Sequence, residues 1–470
     1  MSFVTRRKPV EPVASQDGRD LKKTLSWPHL VALGVGAIIG TGIYTLIGVG
    51  AGQAGPAVIV SFAIAGAVCA FAALCYAEMA TLMPHAGSAY TYSYAGMGEL
   101  VGWVIGTSLI LEYTVVCAAV AVGWSGYAQG FLESRGWGLP EMLAAGPGGD
   151  PAGLINLPAV VIILLVTGML MVGTRESATV NAWLVVFKVV ALAAFVVLAL
   201  PAFDPANFQP FMPFGFNAHE EADGIKRGVM AAAAVIFFAF YGFDAISTAA
   251  EEAKNPGRDL TIGIVGSMLA CAAIYMIVAG AALGASHFTV FAKSGEPLAF
   301  ILRAHGHDLA AVLIAAAAVI ALPTVIMAFM FGQSRVFFAM SRDGLLPRGL
   351  SLVDKRGVPA AVTLFTGLFA AAIAGFVPLQ RLAEVANAGT LAAFIGTALA
   401  MMILRRQRPD LARPFKTPLW WLVGPLAVAG CLYLFWSLAD FTKLFFFAFN
   451  GLGLIVYLLY GRVKSRLSTQ

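Results

Sequence analysis

Two short stretches of this chain combine glycine with polar residues inside long apolar runs. The first reads Leu33-Gly34-Val35-Gly36-Ala37-Ile38-Ile39-Gly40-Thr41-Gly42-Ile43-Tyr44. The second reads Phe237-Phe238-Ala239-Phe240-Tyr241-Gly242-Phe243-Asp244. Taken singly, the glycines of the first stretch admit three readings. Gly36 and Gly40 form a small-xxx-small packing face, or they mark a kink, or Gly40-Thr41-Gly42 unwinds a helix in mid-membrane. The second stretch favours unwinding, because it sets a glycine, tolerant of broken backbone, close to an aspartate. Asp244 is expected to cap the half-helix that resumes after the break; uncompensated, it would cost about 2.5–3.5 kcal/mol at the centre of a membrane helix. Broken helices at corresponding places in two halves of a chain are the pattern of transporters with inverted repeats.

The chemistry available at such breaks follows from helix ends. A half-helix starting at Thr41–Gly42 presents free N–H groups and a partial positive charge, which suit a carboxylate. The half-helix ending at Ile38, and the first half of the second stretch around Phe238, Ala239 and Tyr241, present carbonyls that suit an ammonium group. One donor cluster beside two acceptor clusters is a receptor for an α-amino acid zwitterion.

These stretches sit in a chain of 470 residues that is 59% hydrophobic and only 12% charged, against about 25% charged in soluble domains. Apolar runs of 18 or more residues recur throughout, each able to cross roughly 30 Å of hydrocarbon as a helix. Twelve spans are expected, near 29–50, 56–80, 100–131, 156–173, 179–200, 228–250, 261–285, 308–341, 358–377, 382–404, 418–437 and 441–461. An all-α polytopic membrane protein follows, with both termini on one side. Placing them in the cytoplasm assigns twenty-one Lys and Arg residues to inner segments and seven to outer ones, with Lys188 and Arg335 inside spans. That bias obeys the positive-inside rule and explains the net charge of +5 without nucleic acid. No cleavable signal peptide is expected. The five cysteines (Cys69, Cys75, Cys117, Cys271, Cys431) all fall in apolar runs and read as small core residues.

Two further charges stand inside spans. Glu112 lies about twelve residues into the third span. A structural ion pair is one reading; intramembrane acids more often line a cavity or relay. Lys188 lies about nine residues into the fifth span, where it either snorkels to the inner face or takes part in ion coupling. Glu78, Glu251, Glu252 and Arg335, near inner ends of spans, read as interface or gate charges, and His29 as interfacial. No P-loop, paired catalytic carboxylates or histidine cluster is present, so neither an enzyme nor a metal or cofactor site is expected. A channel is disfavoured by the lack of a pore-lining ring, and a sensor by the lack of an output domain.

Four segments carry a resemblance to a known family. GVGAIIGTGIYTLIG (34–48), FFAFYGFDAISTAAEEAKNPGRD (237–259), GQSRVFFAMSRDGLLP (332–347) and RRQRPDLARPFKTP (405–418) resemble the amino acid–polyamine–organocation superfamily, in its bacterial cationic-amino-acid-transporter-like branch. The similarity runs over about residues 22–460. It implies a first five-helix repeat over 29–200, an outer loop over 201–227, a second, inverted five-helix repeat over 228–404 and two further helices over 405–461, with cytoplasmic tails at 1–28 and 462–470. It implies a cytoplasmic-membrane permease that works by alternating access on amino acids, with protons and the lipid bilayer as its other partners and no obligatory protein partner. Exchange, or carriage of a polyamine or other amine, is the alternative. By position, Ile38, Gly40, Thr41, Gly42, Phe238, Ala239 and Tyr241 match the family's substrate-contacting segments. Glu112 matches an acid lining that site, and Lys188 a lysine standing where sodium-coupled relatives hold a sodium ion, which implies proton coupling. The outer loop at 132–155 matches no part of the family pattern.

Overall fold

A computed structural model describes residues 6–10, 25–85, 87–149, 152–172, 178–248, 250, 253–351 and 360–468. Glu251 and Glu252, and the cations Arg19, Lys22, Lys23, Arg175, Lys355 and Arg356, lie outside the described residues.

The chain is mostly helical because lipid leaves no other partner for backbone polar groups. Its helices are α1 (Trp27–Ile38), α2 (Thr41–Tyr44), α3 (Leu46–Ala54), α4 (Val58–Leu82), α5 (Ser88–Met97), α6 (Glu99–Glu133), α7 (Glu141–Ala144), α8 (Leu157–Val172), α9 (Ala178–Ala199), α10 (Val229–Ile236), α11 (Phe243–Thr248), α12 (Pro256–Thr261), α13 (Ser267–Ala285), α14 (Phe288–Phe291), α15 (Pro297–Ala304), α16 (Asp308–Arg342), α17 (Ala360–Phe376), α18 (Leu379–Gln407), α19 (Trp420–Ser437) and α20 (Asp440–Val456). Among the described residues nine helical stretches are long and apolar enough to cross a membrane, and Trp27–Ile38, Leu157–Met171 and Ala360–Phe376 are shorter apolar helices. The expected boundary between the first two spans is a single tight turn, Gly55–Pro56–Ala57, with φ +65° at Gly55. Helical structure therefore runs almost unbroken from Leu46 to Leu82.

Four of the loops between the expected spans carry structure of their own. Helix α5 fills the loop after the second span and is buried over nearly all its length. Helices α14 and α15 occupy the loop 286–307. In the loop 201–227, His219–Glu220 pairs antiparallel with Lys226–Arg227. The loop 132–155 carries α7 and is tied to the end of α17 by the Asn156 amide on Gly375 O at 2.9 Å.

The two 35-residue helices α6 and α16 pack along one another, and α18 lies along the other side of α6. Around this core α1 is wedged among α9, α13 and α16, while α10 is wedged between α4 and α3. Large tyrosines and Trp103 are fully buried in it.

The C-terminal end of α4 is fastened by charge to the end of α18 and the loop that follows it. Glu78, 1% exposed, accepts from Arg405 Nε at 2.6 Å and Nη2 at 2.8 Å, from Thr417 N at 2.8 Å, and stands 3.2 Å from Arg413 Nε. Glu78, expected as an interface or gate charge, thus holds the RRQRPDLARPFKTP segment in place. Removing one member of a buried pair strands the other charges and costs about 3–5 kcal/mol. Glu78→Ala is expected to lower the thermal unfolding midpoint of the purified chain in detergent markedly, and an unchanged midpoint would show the pair to be dispensable.

Candidate functional site

Helix α1 stops at Ile38. Ile39 is extended (φ −73°, ψ 94°) and Gly40 takes φ −147°, ψ −147°. Only one helical turn, α2, follows before a second irregularity at Thr45, and α3 then resumes. Across from it, α10 ends at Ile236 and tightens into a 3-10 turn over Phe237–Ala239. Tyr241 and Gly242 are irregular, with Gly242 at φ +121°, and α11 begins at Phe243.

The breaks fit each other through their glycines. A Cβ on Gly42 would overlap Ala239 Cα, and a Cβ on Gly242 would lie 2.9 Å from Ala37 C and 3.1 Å from Ile38 N. Each interruption thus contributes a glycine that receives the main chain of the other. Gly40 is less constrained, since its added Cβ would meet a Val325 methyl at 3.3 Å.

Groups from neighbouring helices satisfy much of the freed backbone. Tyr275 of α13 donates its hydroxyl to Ile38 O at 2.7 Å. Asn387 of α18 donates to Ala234 O and Val235 O at 2.6 and 3.1 Å. Tyr127 of α6 donates to Tyr44 O at 2.6 Å, and Thr41 Oγ1 reaches Val120 O at 3.4 Å. Asp244 stands second in α11 and reaches backward. Its Oδ1 accepts from Gly242 N at 3.0 Å and its Oδ2 from the Tyr113 hydroxyl at 3.0 Å. It closes the break, and the Ala245 amide of α11 faces the same carboxylate. Two sets of backbone groups remain. No side chain caps α2, and the first amides of a helix have no intrahelical acceptor. Among the described residues no hydrogen bond reaches the carbonyls of Phe238, Ala239 or Tyr241.

All of these residues but Ala239 border a buried cavity with room for about one water molecule. Ile38, Gly40, Thr41 and Gly42 line it from the first break and Phe238 and Tyr241 from the second, while Val116, Val120, Val325 and Phe329 project from α6 and α16. Ala239 does not border it; its backbone is occupied with Gly42. Glu112 does not border it either. It lies four residues before Val116, about 6 Å along α6, fully buried, beside Thr390, and neither carboxylate oxygen has a hydrogen-bond partner. Lys188 is 1% exposed and turned inward. Its Nζ donates to Gly36 O in α1 at 2.9 Å and to Thr324 Oγ1 in α16 at 3.3 Å, so the ammonium bridges the helix before the first break to a helix lining the cavity. Arg335 lies away from the cavity, with its guanidinium 3.6 Å from the centre of the Phe331 ring. His29 Nδ1 and Ser26 Oγ are 2.8 Å apart at the start of α1.

Sequence reasoning missed Val116, Val120, Val325 and Phe329, which are apolar residues on apolar helices and carry no signal. It also missed Tyr275 and Asn387. Asn387, an amide in the middle of an apolar run, was the one with a detectable signal.

A polytopic helical chain in which two interrupted helices enclose a buried cavity of exposed backbone poles is a membrane permease. The chain matches the amino acid permease family over residues 25–456. It is 43% identical to the branched-chain amino acid permease BcaP of Bacillus subtilis over 99% of both chains, and 40% identical to the methylthioribose transporter of the same organism over the full length of both. It is 39% identical to the vacuolar cationic amino acid transporter 2 of Arabidopsis thaliana over 87% of this chain and 64% of the relative. The chain belongs to the amino acid permease family.

The glycine contacts lead to an ordered expectation. Overpacking costs about 1–3 kcal/mol, and the positive φ of Gly242 adds strain. Gly42→Ala and Gly242→Ala should therefore lower the thermal midpoint of the purified chain clearly more than Gly40→Ala does. Equal midpoints for the three would mean that the breaks do not depend on this contact.

Proposed function

We propose that the chain is a secondary permease of the cytoplasmic membrane that moves an amino acid by alternating access, coupled to protons. The observation that carries this reading is the cavity between the breaks, with unpaired amides at Thr41 and Gly42 on one side and unpaired carbonyls at Phe238 and Tyr241 on the other. The amides suit the carboxylate of a substrate and the carbonyls its ammonium. Ile38 O, already taken by Tyr275, keeps a second lone pair for the same ammonium. The reading includes twelve spans arranged as two inverted five-helix repeats plus two C-terminal helices, with both termini cytoplasmic. The nine long and three shorter apolar helices and the lysine and arginine bias support it.

The substrate side chain would lie against Val116, Val120, Val325 and Phe329, a lining without charge or amide. We therefore favour a branched apolar amino acid, the substrate type named for the BcaP relative. A cationic substrate is the second reading, favoured by the partnerless carboxylate of Glu112 one turn along α6 from Val116. Lys188 is proposed as the coupling group. With its proton it ties α1 to α16 through Gly36 O and Thr324 Oγ1; releasing the proton on the cytoplasmic side would remove a donor and free the two helices.

Proteoliposomes with an inward proton gradient should accumulate labelled valine, leucine or isoleucine more than lysine, arginine, glutamate, putrescine or methylthioribose, and replacing sodium by choline should leave the rate unchanged. Dominant lysine or arginine uptake that falls in Glu112→Gln would decide for the second reading. Uptake of none of the amino acids, or a strict sodium requirement, would defeat the proposal. Lys188→Ala should lose accumulation at least tenfold, whether or not exchange of internal for external substrate persists. Accumulation equal to the parent would remove Lys188 from coupling and turn attention to Glu112.

A further inference from the structure

The loop segment formed by α14 and α15, on the outer side in the orientation proposed above, meets α3 and the C-terminal part of α6, which continue the chain from the cavity-lining Gly42 and Val120. On one side it lies against α3, where a Cβ on Gly48 would lie 3.1 Å from Phe291 O and 3.4 Å from Pro297 Cγ. On the other side it enters a notch on α6. Gly126 and Gly130, four residues apart, share a face of that helix. A Cβ on Gly126 would lie 2.6 Å from Gly295 O, and one on Gly130 would overlap the carboxyl group of Glu296. Tyr127, beside Gly126, holds the carbonyl of Tyr44 just past the first break. A separation of Gly295–Glu296 from α6 would therefore uncover the helix face beside the residue that holds the first break.

What sits in the notch is an acid. Glu296 is 7% exposed. Arg303 of α15 pairs with its Oε1, while Oε2 is buried without a hydrogen-bond partner. The titratable groups that face it are Arg303 from α15 and Glu133 and Tyr127 from α6. One carboxylate oxygen is thus paired and the other is pressed, dry, against the helix backbone at Gly130, near a second acid. A buried charged oxygen without a partner is costly, and a protonated carboxyl is much less so.

We propose that Glu296 is a proton-binding site on the outer face whose protonation fastens the α14–α15 segment into the Gly126/Gly130 notch and shuts the outer approach to the cavity. This site is separate from Lys188, which lies among α1, α9 and α16. Burial pushes the Glu296 carboxyl up to about 7 in the seated position, against the pull of Arg303, whereas a glutamate in water titrates near 4.3. The seated segment therefore holds the proton more tightly than the released one. Its advantage is complete below the released value and is lost as pH rises through about 7, which amounts to about tenfold between pH 6 and pH 8.

Hydrogen–deuterium exchange on the full-length chain in lipid nanodiscs, without substrate and corrected for intrinsic exchange, reads this directly. Amides over 288–304 should lose about tenfold protection from pH 6 to pH 8. Glu296→Gln should stay protected at both pH values, and Lys188→Ala should keep the parental step, because the lysine is not part of the notch. Gly130→Ala, which expels the carboxyl into solvent while leaving it titratable, should lose protection and the step together; it also serves if Glu296→Gln does not fold. A parent without a pH step, or a step that persists in either Glu296→Gln or Gly130→Ala, overturns the proposal. Since no substrate is present, the outcome is independent of which amino acid is carried.

Discussion

The reciprocal fit of two glycines is the contact on which the rest of this molecule depends. Gly42 lets α2 approach the backbone of Ala239, and Gly242 lets the second break approach the Ala37–Ile38 peptide. A side chain at either position would hold the interruptions apart by about the size of a methyl group. The cavity would then lose one wall, because its polar surface comes from main-chain atoms that reach it only when the backbones are this close. Side-chain chemistry contributes little there. The side chains of α6 and α16 at the cavity are valines and a phenylalanine, and they give it shape, while the breaks give it polarity.

Breaking a helix in lipid strands backbone groups that water would otherwise satisfy. Tyr275, Asn387, Tyr127, Lys188 and Asp244 each bring a polar group from its own helix to backbone in or beside the interruptions, and together they make the breaks affordable in the membrane. They also connect the site mechanically to its surroundings. Through them α1 is tied to α9 and α13, the first half of the second break to α18, and α2 to α6. Any change of cavity shape must strain or exchange these bonds, so the helices around the site cannot respond independently. The carbonyls of Phe238 and Tyr241 and the amides opening α2 are left out of this scheme and face the cavity with their hydrogen-bonding capacity unspent.

Legibility in the sequence followed the physics of each part. Membrane helices are set by composition over twenty residues, so α6, α16 and α18 stand close to their expected limits. The breaks were visible because two such stretches occupy corresponding places in the two halves of the chain; the glycines of the first alone fitted a packing face or a kink equally well. The gap expected between the first two spans, after 50 and before 56, shrinks to the Gly55–Pro56 turn, which joins α3 to α4 with so little interruption that the spans merge at their junction. Helix α5 was invisible. Its ten residues, SAYTYSYAGM, lack an apolar run, and burial on nearly every side removes the amphipathic period by which short helices are read. Helices α14 and α15 were hidden by their length. Glu112 and Lys188 were legible as intramembrane charges, but which way each points is settled by packing: Lys188 turns toward Gly36, and Glu112 remains one turn outside the cavity. The pairing of Gly42 with Ala239 joins residues nearly two hundred positions apart, and nothing local announces it.

The size of the cavity decides what kind of motion the fold must permit. Room for one water cannot admit an amino acid, so the wall has to part. It cannot part at the glycine contacts without dismantling the polar surface that would bind the ligand. The contacts at the two ends of the cavity wall are of another kind. At one end Gly295 and Glu296 rest in a shallow notch on α6. At the other, Asp343 at the end of α16 accepts from Tyr90 at 2.7 Å and from Lys8 at 2.8 Å. Nearby, Glu99 at the start of α6 accepts from Tyr94 and Tyr457, each at 2.8 Å. These contacts are made by side chains, which can exchange hydrogen-bond partners by rotating, whereas backbone packed against a glycine has no such freedom. The centre is held by close backbone contact and the ends by side-chain hydrogen bonds and ion pairs, so a motion that keeps the polar surface of the cavity intact has to act on the ends.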